Sequence, residues 1–288
     1  MFFCRGAFVV VLIPNKALLE EKKRLFKGKG AAHFHIVADF DKTFTTAFVE
    51  GKKSNTTFAQ IREGSALEKE YHKKADVLYK KFYPFEVGLN FPLEERKAKL
   101  AEWWKGHLDL LVKYRLTRKV MYACIDEGKM RIRSGAPEFF SFAAKRKIPL
   151  VILSSGLGDI IVYFLKKHGL FTKNVNVIAN FFKFGKAGKV VGYNKFVIHS
   201  LIKDEADLKS RPFYKKIAHR KNVLLFGDSI GDLEMVAGIE GINVISVGFL
   251  NDAVEENLQE YKKKFDIIVL EDGSFEFVND LLKELFGE

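Results

Sequence analysis

Two aspartates, Asp39 and Asp41, follow a short apolar run at residues 36–38. In an extended chain, side chains two positions apart lean to the same side, so both carboxylates would face one site. Two carboxylates this close repel each other unless a cation or a proton lies between them. A divalent metal removes that repulsion, and Mg²⁺ prefers a few carboxylate ligands together with a substrate phosphate. The pair therefore indicates magnesium-assisted chemistry on a phosphate ester.

With a metal in place, the two carboxylates can divide the work of phosphoryl transfer. One carboxylate can attack phosphorus and form an aspartyl-phosphate. The other can protonate the leaving oxygen and later take a proton from water. An isolated Asp-x-Asp pair is also common at turns and solvated strand ends, so this interpretation needs support from the rest of the chain.

Three further polar positions along the chain could join the two aspartates. Ser154 and Ser155 stand at a predicted strand-to-helix junction, where a hydroxyl and backbone N–H groups can hold phosphate oxygens. Lys203 could stabilise the charge of a phosphoryl group, although the sequence alone does not single out one lysine. Asp228 and Asp232 add two more carboxylates. One could complete the ligand set of the metal, and the other could orient the ligands from outside.

The elements that carry these residues alternate between strand and helix. Apolar runs predict buried strands at 36–38, 149–153, 222–226, 243–247 and 266–270, and the first three of them end at the polar clusters. The carboxyl ends of parallel strands share one edge of a sheet, so these clusters can meet in space. The sequence therefore predicts an α/β fold with a doubly wound, mainly parallel sheet.

Other local patterns predict helices and one hairpin. Helical spacing and end signals occur at 15–27, 136–147, 160–168 and 274–286. A β-hairpin is predicted from 175–184 and 189–196, turning at the glycine-containing residues 185–188.

Residues 54–128 break the alternation of strand and helix. Strand patterns are absent there, and apolar residues recur at helical spacing. The segment is too long for a loop, because loops beyond about 15 residues are uncommon in compact domains. We therefore predict an α/β core of residues 1–50 and 130–288 and an inserted helical cap domain of residues 51–129.

Composition narrows the class of protein. The 288-residue chain is 48% hydrophobic with a net charge of +12, which indicates a globular protein that favours phosphorylated or polyanionic partners. Cys4 and Cys124 have no paired spacing, so neither a disulfide framework nor a zinc site is predicted. The apolar run at 7–13 is too short for a membrane span, which needs about 20 residues, and no clear cleavage site follows it. We expect a cytoplasmic protein without a membrane partner, with this run packed on the core or poorly ordered.

The ordered motifs resemble those of the haloacid dehalogenase-like phosphatases. Asp39-Phe40-Asp41-Lys42-Thr43 resembles the first motif of that superfamily, Asp-x-Asp-x-Thr. Ser154 resembles the second motif and Lys203 the third. Gly227-Asp228 together with Asp232 resembles the fourth.

Longer segments are similar to one branch of this superfamily, the pyrimidine (cytosolic type III) 5′-nucleotidases. The resemblance runs from about residue 13 to the C-terminus. Its segments are Lys27-Gly28, Gly30-Ala31-Ala32, Tyr83-Pro84-Phe85-Glu86-Val87, Glu102-Trp103-Trp104, Lys105-Gly106-His107, Leu153-Ser154-Ser155-Gly156-Leu157-Gly158-Asp159 and Gly248-Phe249-Leu250-Asn251-Asp252.

The resemblance implies a Mg²⁺-dependent enzyme that hydrolyses nucleoside 5′-monophosphates, pyrimidine ones by preference, under a helical cap. It makes Asp39 the nucleophile, through an aspartyl-phosphate, and Asp41 the general acid and base. Mg²⁺ would be held by Asp39, by the backbone carbonyl of Asp41 and by Asp228, with Asp232 behind them. Family members also pass the phosphoryl group to another nucleoside, so a phosphotransferase side activity is implied.

The same resemblance assigns the substrate contacts. Ser154, Ser155 and Lys203 would bind the phosphate, and Glu86 in the cap would contact the base. Gly106 departs from the family, which has a serine against the base at this position, so the preferred base stays open.

Two alternatives remain beside a monomeric nucleotidase. The first is a phosphatase of the same superfamily that acts on another small phosphate ester. The second, of a different class, is a non-catalytic basic module that binds nucleic acid, and it rests only on the net charge of +12. The filled catalytic positions argue against that module, so we expect no nucleic-acid partner.

Overall fold

The structure, a computed structural model, describes residues 10–88, 90–203, 213–237 and 239–287. Its strands are β1 (Val11–Leu12), β2 (Phe34–Ala38), β3 (Phe48–Val49), β4 (Lys52–Lys53), β5 (Leu150–Leu157), β6 (Val175–Asn180), β7 (Phe182–Phe184), β8 (Val190–Tyr193), β9 (Asn222–Gly227), β10 (Asn243–Leu250) and β11 (Ile267–Leu270). Its α-helices are α1 (Lys16–Lys29), α2 (Thr57–Glu63), α3 (Lys69–Val87), α4 (Leu93–Lys113), α5 (Arg118–Asp126), α6 (Ala136–Lys145), α7 (Gly158–Lys167), α8 (Tyr214–Ile217), α9 (Val254–Lys264) and α10 (Glu276–Phe286). Short 3-10 helices lie at Ala31–His33, Lys186–Gly188 and Ile230–Val236.

One seven-stranded sheet forms the centre of the protein, in the order β1-β11-β10-β9-β2-β5-β6. Neighbouring strands are parallel except at the edge, where β1 runs antiparallel to β11. From β2 the chain continues to β5 and β6 on one side and to β9, β10 and β11 on the other. The predicted α/β fold with a doubly wound, mainly parallel sheet is confirmed.

The residues of β2 explain why this strand lies in the middle of the sheet. Every residue of β2 is buried. Ile36 and Ala38 pack into one apolar cluster, whereas Val37 packs into a second cluster. Successive side chains of a strand point to opposite faces, so both faces of the sheet are covered, as a parallel sheet requires.

The predicted helices at 15–27, 136–147, 160–168 and 274–286 correspond to α1, α6, α7 and α10. Helix α1 begins after Asn15, whose side chain accepts a hydrogen bond from the N–H of Leu18 at 3.0 Å. It ends at Gly30, which has a φ of 63° that favours glycine.

The predicted hairpin was wrong in its first half. Residues Val175–Asn180 form β6, which is parallel to β5 at the edge of the central sheet. Only Phe182–Phe184 pairs antiparallel with Val190–Tyr193. The chain changes partner next to Asp159, whose carboxylate accepts a hydrogen bond from the N–H of Phe182 at 2.8 Å. Alternating apolar residues indicate a strand but do not identify the strand with which it pairs.

Helix α9 had no counterpart in the sequence analysis. Of its residues only Tyr261 is buried. The helix therefore lacks the broad apolar stripe by which amphipathic helices are found in a sequence.

All described elements between β4 and α6 are helices, namely α2 to α5. Pro84 lies inside α3, near its carboxyl end, and Pro92 caps the start of α4. The boundaries of the predicted cap domain at 51 and 129 stay a prediction.

The N-terminal apolar run is described only from residue 10 onward, and Val11–Leu12 contributes β1. Positions 7–9 of this predicted run lie outside the described residues. Within the described ranges, no helix has both the length and the apolar character that crossing a membrane demands. The expected monomeric state and cytoplasmic location stay predictions.

Candidate active site

Asp39 comes directly after β2, at the carboxyl end of the strand that lies between β5 and β9. Its backbone N–H donates to the carbonyl oxygen of Phe226 at 3.0 Å, which keeps the chain beyond β2 attached to β9. Asp228 directly follows β9, and Ser154 lies in β5 near its carboxyl end. Polar clusters far apart in the sequence thus meet at the edge of the sheet where open α/β folds bind ligands.

The ammonium group of Lys203 connects two of the predicted carboxylates. Its Nζ lies 2.5 Å from Asp39 Oδ1 and 2.9 Å from Asp232 Oδ1, and all three side chains are buried. Burial alone lowers the pKa of Lys203, but the carboxylates of Asp232 and Asp39 outweigh burial and raise that pKa above its usual value. Lys203 is therefore a cation beside Asp39, where it can balance the charge of a phosphate.

Three carboxylates at this edge are close enough to share a cation. Asp39, Asp228 and Asp232 each offer an oxygen that lies within 4.8 Å of the others. Asp232 is already engaged, because Oδ1 accepts from Lys203 and Oδ2 accepts from the N–H and the hydroxyl of Ser229 at 3.0 and 2.9 Å. Within the described ranges no hydrogen-bond donor reaches the carboxylate of Asp228.

The charges of this cluster fit a divalent cation. Burial, followed by the negative charge of Asp232, raises the pKa of Asp228 to about 7. Burial also raises the pKa of Asp39 against the attraction of Lys203, which lowers it. The raised pKa values mean that full ionisation of these carboxylates is unfavourable here without further positive charge. A divalent cation would supply that charge, and the donors are the hard oxygens that Mg²⁺ prefers.

The carboxylate of Asp41 faces the first turn of α2. Asp41 Oδ1 accepts a hydrogen bond from the backbone N–H of Thr57, and Oδ2 accepts from the hydroxyl of Thr57, both at 3.0 Å. Burial raises the pKa of Asp41 to about 6, although the two hydrogen bonds from Thr57 lower it. A carboxyl group with a pKa in this range can both give and take a proton near neutral pH.

The carboxyl end of β5 is fixed from two sides. The buried hydroxyl of Ser154 accepts a hydrogen bond from the N–H of Gly156 at 2.9 Å. The carbonyl oxygen of Ser155 accepts from the indole N–H of Trp104 at 2.8 Å and from the side-chain amide of Asn180 at 2.7 Å. Since Trp104 belongs to α4 and Asn180 to β6, both the helical segment and the sheet hold this end of β5.

A cavity of about 600 Å³ lies between this edge of the sheet and helices α2 to α4, a volume typical of small-molecule sites. On the sheet side it is lined by Asp39, Asp41, Ser155, Lys203 and Asp228. Ser154 and Asp232 are not among the lining residues. On the helical side it is lined by Phe58, Tyr79, Glu86, Trp103, Trp104 and His107, among others.

Two titratable side chains stand in the helical wall of the cavity. Glu86 on α3 accepts a hydrogen bond from the hydroxyl of Ser200 at 3.3 Å, and burial raises its pKa. His107 on α4 pairs through Nε2 with the hydroxyl of Tyr71 at 2.8 Å, and burial lowers its pKa to about 3. The wall therefore offers a carboxyl group and a neutral imidazole among aromatic rings.

Three residues that shape the site were missed by the sequence analysis. Thr57 contacts Asp41, and Arg133 binds the backbone of the loop after Asp41. Tyr261 donates from its hydroxyl to the backbone carbonyl of Asp228 at 2.6 Å. Each is a single residue outside any motif. Only Thr57 had a local signal, since Thr56 before it is a typical residue for the start of a helix.

The sheet order, the aspartates that follow β2 and β9, and the serine in β5 define a hydrolase of the haloacid dehalogenase-like class. The fold agrees with this class. The structure of a substrate-bound phosphoserine phosphatase superposes with a TM-score of 0.51 at 18% identity, and the superposition covers 86% of this chain and 96% of that chain. More specifically, the chain belongs to the family described as pyrimidine 5′-nucleotidase (UMPH-1), whose sequence model matches residues 42–286. The protein is thus a 5′-nucleotidase, a phosphoric monoester hydrolase.

Individual relatives extend over nearly the whole chain. A protein of Xenopus laevis named 7-methylguanosine phosphate-specific 5′-nucleotidase A is 32% identical over 279 residues, which are 96% of each chain. The crystal structure of cytosolic 5′-nucleotidase IIIB bound to cytidine superposes with a TM-score of 0.88 at 27% identity, covering 96% of this chain and 93% of that chain. The family resemblance predicted from the sequence is confirmed.

Proposed function

We propose that this protein hydrolyses nucleoside 5′-monophosphates through an aspartyl-phosphate on Asp39, with Asp41 as general acid and base. The observation that carries the proposal is that Asp39, Asp41, Lys203 and Asp228 line one cavity whose opposite wall is aromatic. The cavity therefore offers a polar surface for a phosphate and, next to it, an aromatic surface for a flat base. We further propose that helices α2 to α5 form the cap that encloses the base.

Magnesium is the proposed cofactor. Asp39 and Asp228 would hold it directly together with the backbone carbonyl of Asp41, and Asp232 would support them from behind by fixing Lys203. When bound, Mg²⁺ would polarise the phosphate and neutralise part of the charge in the cluster.

The side chains of the site can carry out two successive transfers. An oxygen of Asp39 forms a bond to phosphorus while the bond from phosphorus to O5′ breaks, and Asp41 gives its proton to O5′. A water molecule then attacks phosphorus, the bond to Asp39 breaks, and Asp41 takes the proton of the water. Lys203 balances charge at both stages, and Ser154 and Ser155 would help to hold the phosphate near the carboxyl end of β5. A nucleoside hydroxyl in place of water would give the phosphotransferase side activity.

For the base, we propose 7-methylguanine. Methylation at N7 gives the guanine ring system a positive charge, which attracts it to aromatic faces and to a carboxylate. The wall of the cavity combines Glu86 with Tyr79, Trp103 and Trp104, and relatives named as 7-methylguanosine phosphate-specific support this choice.

A pyrimidine nucleotide is the second candidate. The family is named for pyrimidine 5′-nucleotidases, and cytosolic 5′-nucleotidase IIIB was crystallised with cytidine. Gly106 on α4 has no side chain to offer a base. The side chains that can distinguish bases are therefore those of Glu86, the aromatic wall and the other polar residues that line the cavity, such as Arg62 and His107.

Phosphate release in the presence of Mg²⁺ tests the proposal. The panel comprises 7-methylguanosine 5′-monophosphate, GMP, CMP, UMP, AMP and ribose 5-phosphate. We expect 7-methylguanosine 5′-monophosphate to exceed GMP, its uncharged match, by about 10-fold in kcat/KM, in line with a desolvated cation–π contact. Faster turnover of CMP or UMP would favour the pyrimidine alternative. Preference for ribose 5-phosphate over every nucleotide would contradict the nucleotidase proposal.

A further inference from the structure

Thr57 makes a two-point contact with the carboxylate of Asp41. As the first residue of α2, it donates its backbone N–H to Oδ1 and its hydroxyl to Oδ2, each at 3.0 Å. Two donors from one residue fix both the position and the plane of the carboxylate. A carboxyl oxygen has two lone pairs, so each oxygen of Asp41 keeps one site for a proton or a substrate atom.

The hydroxyl of Thr57 has its own orientation set by a third group. The backbone N–H of Leu157, at the end of β5, donates to Thr57 Oγ1 at 3.1 Å. Because this N–H occupies the acceptor side of the hydroxyl, the single hydrogen of Oγ1 is directed toward Asp41. Thr57 is fully buried, so water does not compete for these bonds.

Gly156 makes room for this contact. A Cβ at position 156 would overlap Thr57 Oγ1 and would lie 3.0 Å from Asp41 Oδ2. Only glycine therefore allows the carboxyl end of β5, the start of α2 and the carboxylate of Asp41 to come together. Asp41 and Thr57 are 16 residues apart, and Leu157 follows Thr57 by 100 residues, so the meeting of the three segments is a property of the folded site.

We propose that Thr57 is a positioning residue that holds Asp41 where it can give its proton to O5′ of the leaving nucleoside. This inference rests on the proposed function, in which the bond from phosphorus to O5′ breaks, its electron pair stays on O5′, and the proton of Asp41 neutralises that oxygen. Since Thr57 lies on the first helix of the predicted cap, the position of the acid depends on the position of α2.

The test compares leaving groups, because only a poor leaving group needs a proton from Asp41. Nucleoside 5′-monophosphate releases an alkoxide, whereas p-nitrophenyl phosphate releases a stable phenolate. The quantity measured is kcat/KM, which includes departure of the leaving group and excludes the later attack of water. Thr57→Val removes the hydroxyl at similar volume, and Thr57→Ser keeps it.

We expect Thr57→Val to lower kcat/KM for the nucleotide by about 10- to 100-fold, as for a lost hydrogen bond to a charged group. For the same variant, kcat/KM for p-nitrophenyl phosphate should stay within about threefold of the parent value. In Thr57→Ser, kcat/KM for the nucleotide should also lie within about threefold of the parent value. Thr57→Ala serves as a second variant if Thr57→Val does not fold. Equal losses with both substrates, or no loss with either, would overturn the proposal.

A matched control separates the contact with Asp41 from the stability of the helix. Thr56 caps α2 through its hydroxyl, which accepts from the N–H of Ala59 at 3.3 Å. Thr56→Val should change kcat/KM for both substrates by the same factor, and a leaving-group dependence equal to that of Thr57→Val would also overturn the proposal. If the parent protein turns over p-nitrophenyl phosphate but no nucleotide, the proposed substrate fails, and the Thr57 comparison is made with an alkyl phosphate instead.

Discussion

The guanidinium group of Arg133 donates a hydrogen bond to the backbone carbonyl of Lys42 at 2.5 Å, directly behind the proposed acid Asp41. The same side chain donates to the carbonyls of Thr43 and Gly273 at 2.7 and 2.8 Å, and it is fully buried. One arginine thus holds the loop after Asp41 against the backbone at Gly273. The carbonyl of Lys42 has a second donor, the side-chain amide of Asn251 at 3.0 Å.

Replacement of Arg133 by methionine should destabilise the protein strongly. The change removes the donor to the carbonyls of Thr43 and Gly273. It also removes the positive charge 2.9 Å from the carboxylate of Asp272, which keeps its two backbone N–H donors but loses its ion pair. We expect the free energy of unfolding to fall by about 3–5 kcal/mol, measured by urea denaturation. Arg131→Met is the matched control, because Arg131 pairs with Glu50 at the surface, where an ion pair contributes about 0–1 kcal/mol. Equal losses in the two variants would contradict the role given to Arg133.

Replacement of Glu86 by glutamine tests how the base is recognised. A neutral amide keeps the size of the side chain and removes the negative charge opposite a cationic base. We expect kcat/KM for 7-methylguanosine 5′-monophosphate to fall by about 10-fold or more, with a smaller change for GMP. Phosphate release from both nucleotides gives the ratio. A ratio that stays constant would mean that Glu86 does not read the charge of the base.

His107 should make the protein less stable in mild acid. Burial lowers its pKa to about 3, whereas an unfolded histidine has a pKa near 6.5. Between these two values the unfolded chain binds a proton that the folded protein does not, so stability is present above pH 6.5 and is lost as the pH falls. The loss from this group between pH 7 and pH 5 should be about 2 kcal/mol. The check is the free energy of unfolding, measured between pH 5 and pH 7 for the parent and for His107→Gln. Glutamine can still reach Tyr71 but does not titrate, so the free energy of unfolding should depend less steeply on pH in the variant. Parallel curves would contradict this prediction.

The residues found from the sequence share a local pattern. Asp39 and Asp228 each follow an apolar run that is recognisable as a buried strand, and Ser154 stands near the end of another. Parallel strands bring such ends to one edge, so residue type and position were enough to predict that they meet. Lys203 has no such pattern, and it was proposed only because the order of motifs resembles a known family.

The residues missed from the sequence act through contacts that only the folded chain creates. Arg133 reaches carbonyls of a loop that precedes it by about 90 residues, and Thr57 meets Asp41 across the boundary of the predicted cap. Neither contact leaves a period or a motif in the sequence. The mistaken partner of residues 175–180 has the same cause, because strand pairing is decided by tertiary packing.

Asp39→Asn should abolish turnover. An amide oxygen is a poor nucleophile, and the change also removes one charge from the pair with Lys203. Acid quenching after mixing with substrate labelled in the phosphate should leave label on the parent protein and none on the variant. Asp41→Asn should keep a residual rate, since general acid–base catalysis contributes about 10²- to 10⁴-fold. Label retained by Asp39→Asn would assign the nucleophile elsewhere.

Removal of magnesium should stop the reaction, and Asp228 should determine how tightly the ion binds. A chelator is expected to abolish phosphate release, and added Mg²⁺ to restore it. Thermal stability gives a readout that is independent of activity. An ion that binds only the folded state stabilises that state by about 2.7 kcal/mol when its concentration is 100 times the dissociation constant. The melting temperature of the parent protein should therefore rise with Mg²⁺. Asp228→Asn removes one of the carboxylates within 4.8 Å of each other, so the same rise should need at least about 10-fold more Mg²⁺. No hydrogen-bond donor among the described residues reaches the carboxylate of Asp228, so the substitution disturbs few contacts other than the one with the ion. An unchanged response of Asp228→Asn to Mg²⁺ would place the metal away from this cluster.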